Sequence, residues 1–284
     1  AMIIGVLMAG YSPVVTAGAG AAAVVIASML TARTRMSIWR VIEALGETTI
    51  RILPVAGACA AAGLVIGGLS MTGLGMKAAN VIIEVSGGAP IWTLIIAAIV
   101  TIILGLGMPT PSAYILAAVL VGPALTEIGF PVLPTHMFLL YYAILSALTP
   151  PIAVAALAAA AIANEDPFSI AFAAVRLAVI GFLMPFVFIW NPAILGQGTG
   201  LEIALVALGG VVAATGIAVA VEWFRASASV LGWGQRTLML MGSVAAVAPQ
   251  IQIALAGIAL TIGLLVITYM RSTREAVSQP EPGE

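Results

Sequence analysis

Residues 136–163 read HMFLLYYAILSALTPPIAVAALAAAAIA, and residues 105–125 read GLGMPTPSAYILAAVLVGPAL. Both stretches are apolar enough to lie in a membrane. Each also carries a motif that a continuous helix does not tolerate. Proline removes a backbone donor, and its ring collides with the carbonyl four residues back. The pair Pro150-Pro151 and the triplet Pro109-Thr110-Pro111 therefore predict interrupted helices, broken at 146–151 and at 105–112.

The surrounding chain fixes lipid as the solvent. Of its 284 residues, 62% are hydrophobic and 7% are charged, against about 25% charged in an ordinary soluble domain. No Asp, Glu, Lys or Arg occurs in 1–32, 52–76, 85–126, 128–164, 177–201, 203–221 or 237–270. A spanning helix needs about 20 apolar residues, so each window has room for a span or a broken one. The fold class predicted is an all-α polytopic membrane protein. The net charge of −1 excludes the basic patch that a nucleic-acid partner demands. The single cysteine, Cys59, excludes an internal disulfide and reads as a small apolar residue of an Ala/Gly-rich helix. No HExxH, Walker loop or Cys/His cluster is present, so the chain does not read as an enzyme and no cofactor is expected.

Along the chain, 1–51 reads as partial spans followed by an amphipathic helix with Arg33, Arg35, Arg40, Glu43, Glu47 and Arg51 on its polar face. The opening AMIIGVLMAGYSP has no charged n-region and reads as the end of a span that begins upstream. Residues 52–83 divide at Gly67-Gly68-Leu69-Ser70-Met71-Thr72-Gly73. Short arms around a glycine-rich turn predict a re-entrant helical hairpin, with Lys77 and Glu84 at its mouth. The alternative is one helix with a small-residue packing face. Residues 52–163 would then form a transport-type core of hairpin and two broken helices. Residues 164–270 would form C-terminal scaffold spans, including a simple span at 170–190 that contains Arg176, and 271–284 would be a disordered tail. His136 reads as an interfacial or helix-start residue rather than a proton relay.

Backbone freed by a break finds no partner in lipid, so such breaks persist only inside protein or beside a wet cavity. Unwound carbonyls and helix C-termini there suit cations, and helix N-termini suit anionic groups. The first break offers Thr110, Ser112 and the carbonyls of Gly105, Gly107 and Met108; the second offers Ser146, Thr149 and neighbouring carbonyls. Neutral oxygens of this kind suit a hard cation such as Na⁺. The competing reading is a pair of proline kinks whose Ser and Thr bond to their own helices, in a scaffold or channel-like subunit.

The stretches 105–125, 136–163 and PFVFIWNPAIL at 185–195, with ILPVAGACAAAGLVIGGLSMTGLGMKAA at 52–79, resemble the large membrane subunit of tripartite ATP-independent periplasmic (TRAP) transporters. The style is closest to the fused permeases that work with TAXI-type binding proteins. The resemblance covers most of 1–270. It implies an elevator-type, inverted-repeat secondary transporter of the bacterial or archaeal inner membrane, coupled to Na⁺ and fed an organic acid by an extracytoplasmic solute-binding protein. Only one repeat is present, so the other half of the permease would lie upstream. The Na⁺ or substrate site would draw on Gly105, Gly107, Met108, Thr110, Ser146 and Thr149, and the substrate would also meet Pro109, Ser112, Pro150, Gly67, Gly68 and Ser70. Related permeases often carry an Asp near the first break; here that stretch reads MPTPS.

Overall fold

A computed structural model describes residues 2–30, 34–222 and 232–278, and side chains as far as Met270 apart from that of Glu222. Arg33, Trp223 and the end of the tail at 279–284 lie outside the described residues. The chain is helical throughout, with no strand among the described residues. Its helices are α1 (Met2–Met8), α2 (Pro13–Met29), α3 (Ile38–Thr72), α4 (Leu74–Val85), α5 (Pro90–Gly105), α6 (Thr110–Leu120) and α7 (Gly122–Glu127). They continue as α8 (Val132–Leu145), α9 (Val154–Ala163), α10 (Pro167–Leu177), α11 (Val179–Trp190), α12 (Gly200–Glu222), α13 (Trp233–Ala245) and α14 (Ile251–Ser278). A single 3₁₀ turn, Pro192–Leu195, links α11 to α12. Among the described residues, Ile38–Thr72, Gly200–Val221 and Ile251–Met270 are each long and apolar enough to cross a membrane, and α10 with α11 makes a fourth, bent candidate.

Two compact units are present, Ala1–Gly57 and Ala58–Glu284, and the division falls within α3. In the first, α1 packs on α2 across a turn at Gly10, which adopts φ 82°. Ser12 then caps α2: its Oγ accepts from Val15 N at 3.4 Å, and Pro13 occupies the first helical position. Gly20 faces Ile3, where a Cβ would come within 3.0 Å of Cγ1.

The expected hairpin at 52–83 is corrected in part: the chain does break within the predicted 67–73 turn, at Gly73, but the two arms do not pack along one another. The amphipathic segment and the first arm form one continuous helix, α3, which passes through Pro54, Gly67 and Gly68 and buries no residue. The chain leaves the helix only at Gly73, in the left-handed region at φ 65°. Magnitudes explain the continuity. A glycine costs a helix about 1 kcal/mol relative to alanine, whereas each backbone group left unbonded in hydrocarbon costs several. Thr72 Oγ1 donates to Gly68 O at 2.9 Å and covers a carbonyl of the last turn. After Gly73, α4 packs on α6 and α7 rather than back along α3. Gly75 allows that approach, since a Cβ there would stand 2.9 Å from Val119 O.

In the second unit α4–α8 surround a core of Leu94, Val121, Leu125, Phe138 and Leu139, all fully buried. Helix α11 closes it with an aromatic ladder, Phe138–Phe186 at 5.6 Å and Tyr142–Phe182 at 6.4 Å between ring centroids. Tyr142 Oη donates to Phe182 O at 2.6 Å. The expected simple span at 170–190 is also corrected: α10 and α11 meet at Ala178 with a bend of 41°. Arg176 stands in the last turn of α10, where a cation complements the carbonyl end of a helix. Asp166 caps α10, its Oδ2 accepting from Ser169 N at 2.8 Å. The tail read as disordered from 271 is helical as far as Ser278, because extending an existing helix needs no new nucleus.

Replacing Gly67 and Gly68 by Ala is expected to leave the fold intact and to add stability of at most about 1 kcal/mol per residue, because nothing lies within 4 Å of either position. Thermal unfolding in detergent measures it; a lowered midpoint would mean that the chain turns there.

Candidate functional site

Both proline breaks form where the sequence places them, and they meet. Helix α5 ends at Gly105, and Gly107 reverses the chain at φ 74°. Pro109 then precedes the first turn of α6, with Ala113 N donating to its carbonyl at 3.1 Å. Helix α8 ends at Leu145. The chain turns through Ser146, Ala147, Leu148 and Thr149 and crosses a cis Pro150-Pro151 bond. It enters α9 through Ala153, which is buried and left-handed at φ 42°. A Cβ on Gly105 would fall on the Ser146 side chain, 2.8 Å from its Cβ, and one on Gly107 would stand 3.4 Å from Ile152 Cδ1. The glycines of the first break are thus seats for side chains of the second.

This meeting brings together the C-termini of α5 and α8 and the N-termini of α6 and α9. Ser146 Oγ donates to Ala143 O at 2.7 Å, and Thr149 Oγ1 donates to Leu145 O at 2.8 Å. Each hydroxyl has spent its proton on its own helix and keeps its lone pairs as acceptors. In the backbone, Met108 N donates to Gly105 O at 3.2 Å, and Ala155 N donates to Ala147 O at 3.1 Å, across the second break. Thr110, Met108 and Pro109 are half-buried. Neither break contains an Asp or Glu, so the oxygens they offer are hydroxyls and backbone carbonyls and are neutral.

The structure gathers Gly105, Gly107, Met108, Pro109, Thr110, Ser112, Ser146, Thr149 and Pro150 into the two meeting breaks. It does not bring Gly67, Gly68 or Ser70 to them. The part of α3 that reaches the first break is Cys59, onto whose Sγ the buried Ser112 Oγ donates at 3.6 Å. Gly67 and Ser70 lie about 12 and 16 Å further along α3, and both are exposed. Three participants were missed. Cys59 carries no motif, and Ile152 gives no signal that separates it from any core residue. Tyr114 holds His136 across the α6–α8 interface, Oη to Nδ1 at 2.9 Å. That bond makes the histidine a cross-helix partner near the start of α8; its lone occurrence in the sequence was the available signal.

Gly105→Ala is expected to destabilise the protein by about 1–3 kcal/mol through overpacking. Ser146→Gly on the Gly105→Ala background should recover most of that loss. A double-mutant cycle on thermal stability measures it, and additive effects would mean that the breaks do not touch.

No curated protein and no solved structure matches the chain. One family does, the "Tripartite ATP-independent periplasmic transporter, DctM component", over residues 1–203. That range contains both breaks, the core around Phe138 and the aromatic ladder on α11. With spans of membrane length and an all-helical core, the chain is a multi-pass membrane protein and belongs to the DctM-component family, the large membrane subunit of TRAP transporters.

Proposed function

We propose that the two meeting breaks form part of the coupling-ion and substrate site of a Na⁺-driven permease. Its substrate is an organic acid delivered by an extracytoplasmic solute-binding protein, and the fused TAXI-associated type is the closest pattern. The observation that carries this reading is the seating of Ser146 on Gly105 and Ile152 on Gly107. It places two helix C-termini and two helix N-termini at one junction. Carbonyl ends favour a cation, and amide ends favour the carboxylate of an acid. Na⁺ takes neutral oxygens, and the hydroxyls of Ser146 and Thr149 have lone pairs to give because their protons are already committed. The substrate carboxylate would face the first turn of α6, at Thr110 and Ser112. Elevator movement of the core would carry the loaded junction across the membrane.

A second reading has one observation in its favour. Ser146 and Thr149 bond to their own helices, as hydroxyls do at simple kinks. On that reading the chain is a scaffold or channel-like subunit, and neither ion nor acid binds at the junction.

Uptake by the complete transporter, reconstituted with its binding protein, decides between them. Uptake should stop when choline replaces Na⁺. Thr149→Ala should raise the Na⁺ concentration for half-maximal uptake at least about tenfold, the equivalent of about 1.4 kcal/mol. Thr215→Ala, which removes a comparable intrahelical hydroxyl bond on α12, should leave it unchanged. Uptake indifferent to Na⁺ would remove the coupling, and equal effects of the two substitutions would favour the scaffold.

A further inference from the structure

Two cavities lie side by side around the junction of α11 with α12–α14. The first, of about 270 Å³, is walled by Ile180, Leu183 and Trp190 of α11, Ala213 and Ile217 of α12, and Val244 of α13. Ser243 also borders it, but its hydroxyl is fully buried against Gly216. Walls of this kind offer water no hydrogen-bond partners; an enclosed cavity of about 150 Å³ lined by Leu, Ile and Phe is dry and takes up benzene. From Ile180 to Trp190 α11 rises about 15 Å, half of the roughly 30 Å hydrocarbon thickness of a bilayer. Leu183, Trp190 and Val244 at its mouth are 39%, 45% and 59% exposed. The cavity therefore has the length of one leaflet and opens to the bundle's surface.

The second cavity, of about 410 Å³, shares Ala248 and Pro249 with the first and is polar on its far side, at Asn191, Gln197 and Glu202. It lies where α11 ends, α12 begins and α13 turns into α14, and Asn191 Nδ2 pins that turn by donating to Val247 O at 3.1 Å. Two candidate spans, Gly200–Val221 and Ile251–Met270, begin here beside Trp190, the pattern of a membrane surface. Glu202 is the charged group there. Its Oε2 accepts from Thr199 N at 2.8 Å, and Thr199 Oγ1 accepts from Glu202 N at 3.4 Å, a capping box at the start of α12. Apart from Thr199 the carboxylate is exposed, and no Lys or Arg pairs with it among the described residues.

We propose that the two cavities form one site for a bilayer phospholipid with a primary-ammonium headgroup, its acyl chain in the apolar cavity and its ammonium on Glu202. An apolar channel of one-leaflet length suits an acyl chain. An exposed carboxylate with no cationic side chain beside it selects a cation with N–H donors over an anionic or hydroxylated headgroup. A quaternary ammonium brings the charge without the donors.

The full chain, purified in detergent and freed of lipid, is titrated with phosphatidylethanolamine, phosphatidylcholine and phosphatidylglycerol of equal chain length. Native mass spectrometry reads retention, and thermal unfolding reads stabilisation. Phosphatidylethanolamine should be retained about tenfold more tightly than phosphatidylglycerol, the equivalent of about 1.4 kcal/mol, with phosphatidylcholine between them. Glu202→Gln keeps the capping box and should abolish the preference. Ala213→Phe fills the cavity and should lower retention of all three lipids; Leu183→Trp, at the partly exposed mouth, makes the same test without touching the interior. Retention indifferent to headgroup, or a preference that survives Glu202→Gln, overturns the proposal. So does retention unchanged by both blocking substitutions, or a second copy of the chain that lipid does not displace.

Discussion

A backbone broken inside hydrocarbon has to find its partners within the protein, and the contact between Gly105 and Ser146 is where this chain meets that constraint. Each break frees carbonyls and amides that lipid does not satisfy. Each bonds freed groups within its own segment and is shielded by packing against the other. Gly105 has no side chain, so Ser146 can lie against the end of α5, and Gly107 gives Ile152 its seat. The Ser146 and Thr149 hydroxyls cover carbonyls of the last turn of α8. Ala155 N spans the second break to Ala147 O. Neither break is a free-standing kink, and the packing of α5, α6 and α8 on one another follows from their mutual dependence.

The breaks were legible in the sequence because proline acts locally and in one direction: it removes a donor whatever surrounds it. The caps at Ser12 and Asp166 obey a similarly local rule, since each is a short polar side chain directly before the proline that opens a helix. Glycine is a weaker sign. At Gly67 and Gly68 it permits a turn without requiring one, and the saturation of backbone bonds in α3 prevails. At Gly73, a left-handed residue, the turn does occur. The bend at Ala178 escaped notice because no proline or glycine marks it; the cation in the preceding turn does. Which side chains would fill the glycine seats could not be read at all. The Gly105–Ser146, Ser112–Cys59 and Tyr114–His136 contacts join residues far apart in sequence, and nothing in their local pattern distinguishes them from other small or polar residues.

Beyond residue 203 the chain leaves the range matched by the family, and its packing changes character. The core around Phe138 mixes large side chains with alanines such as Ala97 and Ala117. Helices α12, α13 and α14 instead pack through glycines: a Cβ at Gly209 would strike Ala246 O, and one at Gly257 would strike the backbone of the same turn. Close backbone approach is how helices associate where lipid supplies no hydrophobic drive between them. Such packing leaves gaps wherever a small residue faces a curved neighbour, as Ala213 does on the first cavity.

Helix α11 belongs to both kinds of packing. One side holds α8 through Phe182 and Phe186, and Tyr142 Oη is bonded to Phe182 O only one turn before the Ser146 break. Its other side, at Ile180, Leu183 and Val187, faces the apolar cavity. A densely packed interior transmits displacement instead of absorbing it. The helix that leads into the 146–151 junction is thus tied through Tyr142 to α11, and the apolar cavity lies on the far side of that helix. Helix α11 therefore stands between the aromatic face of α8, which runs on to the polar junction, and the apolar cavity.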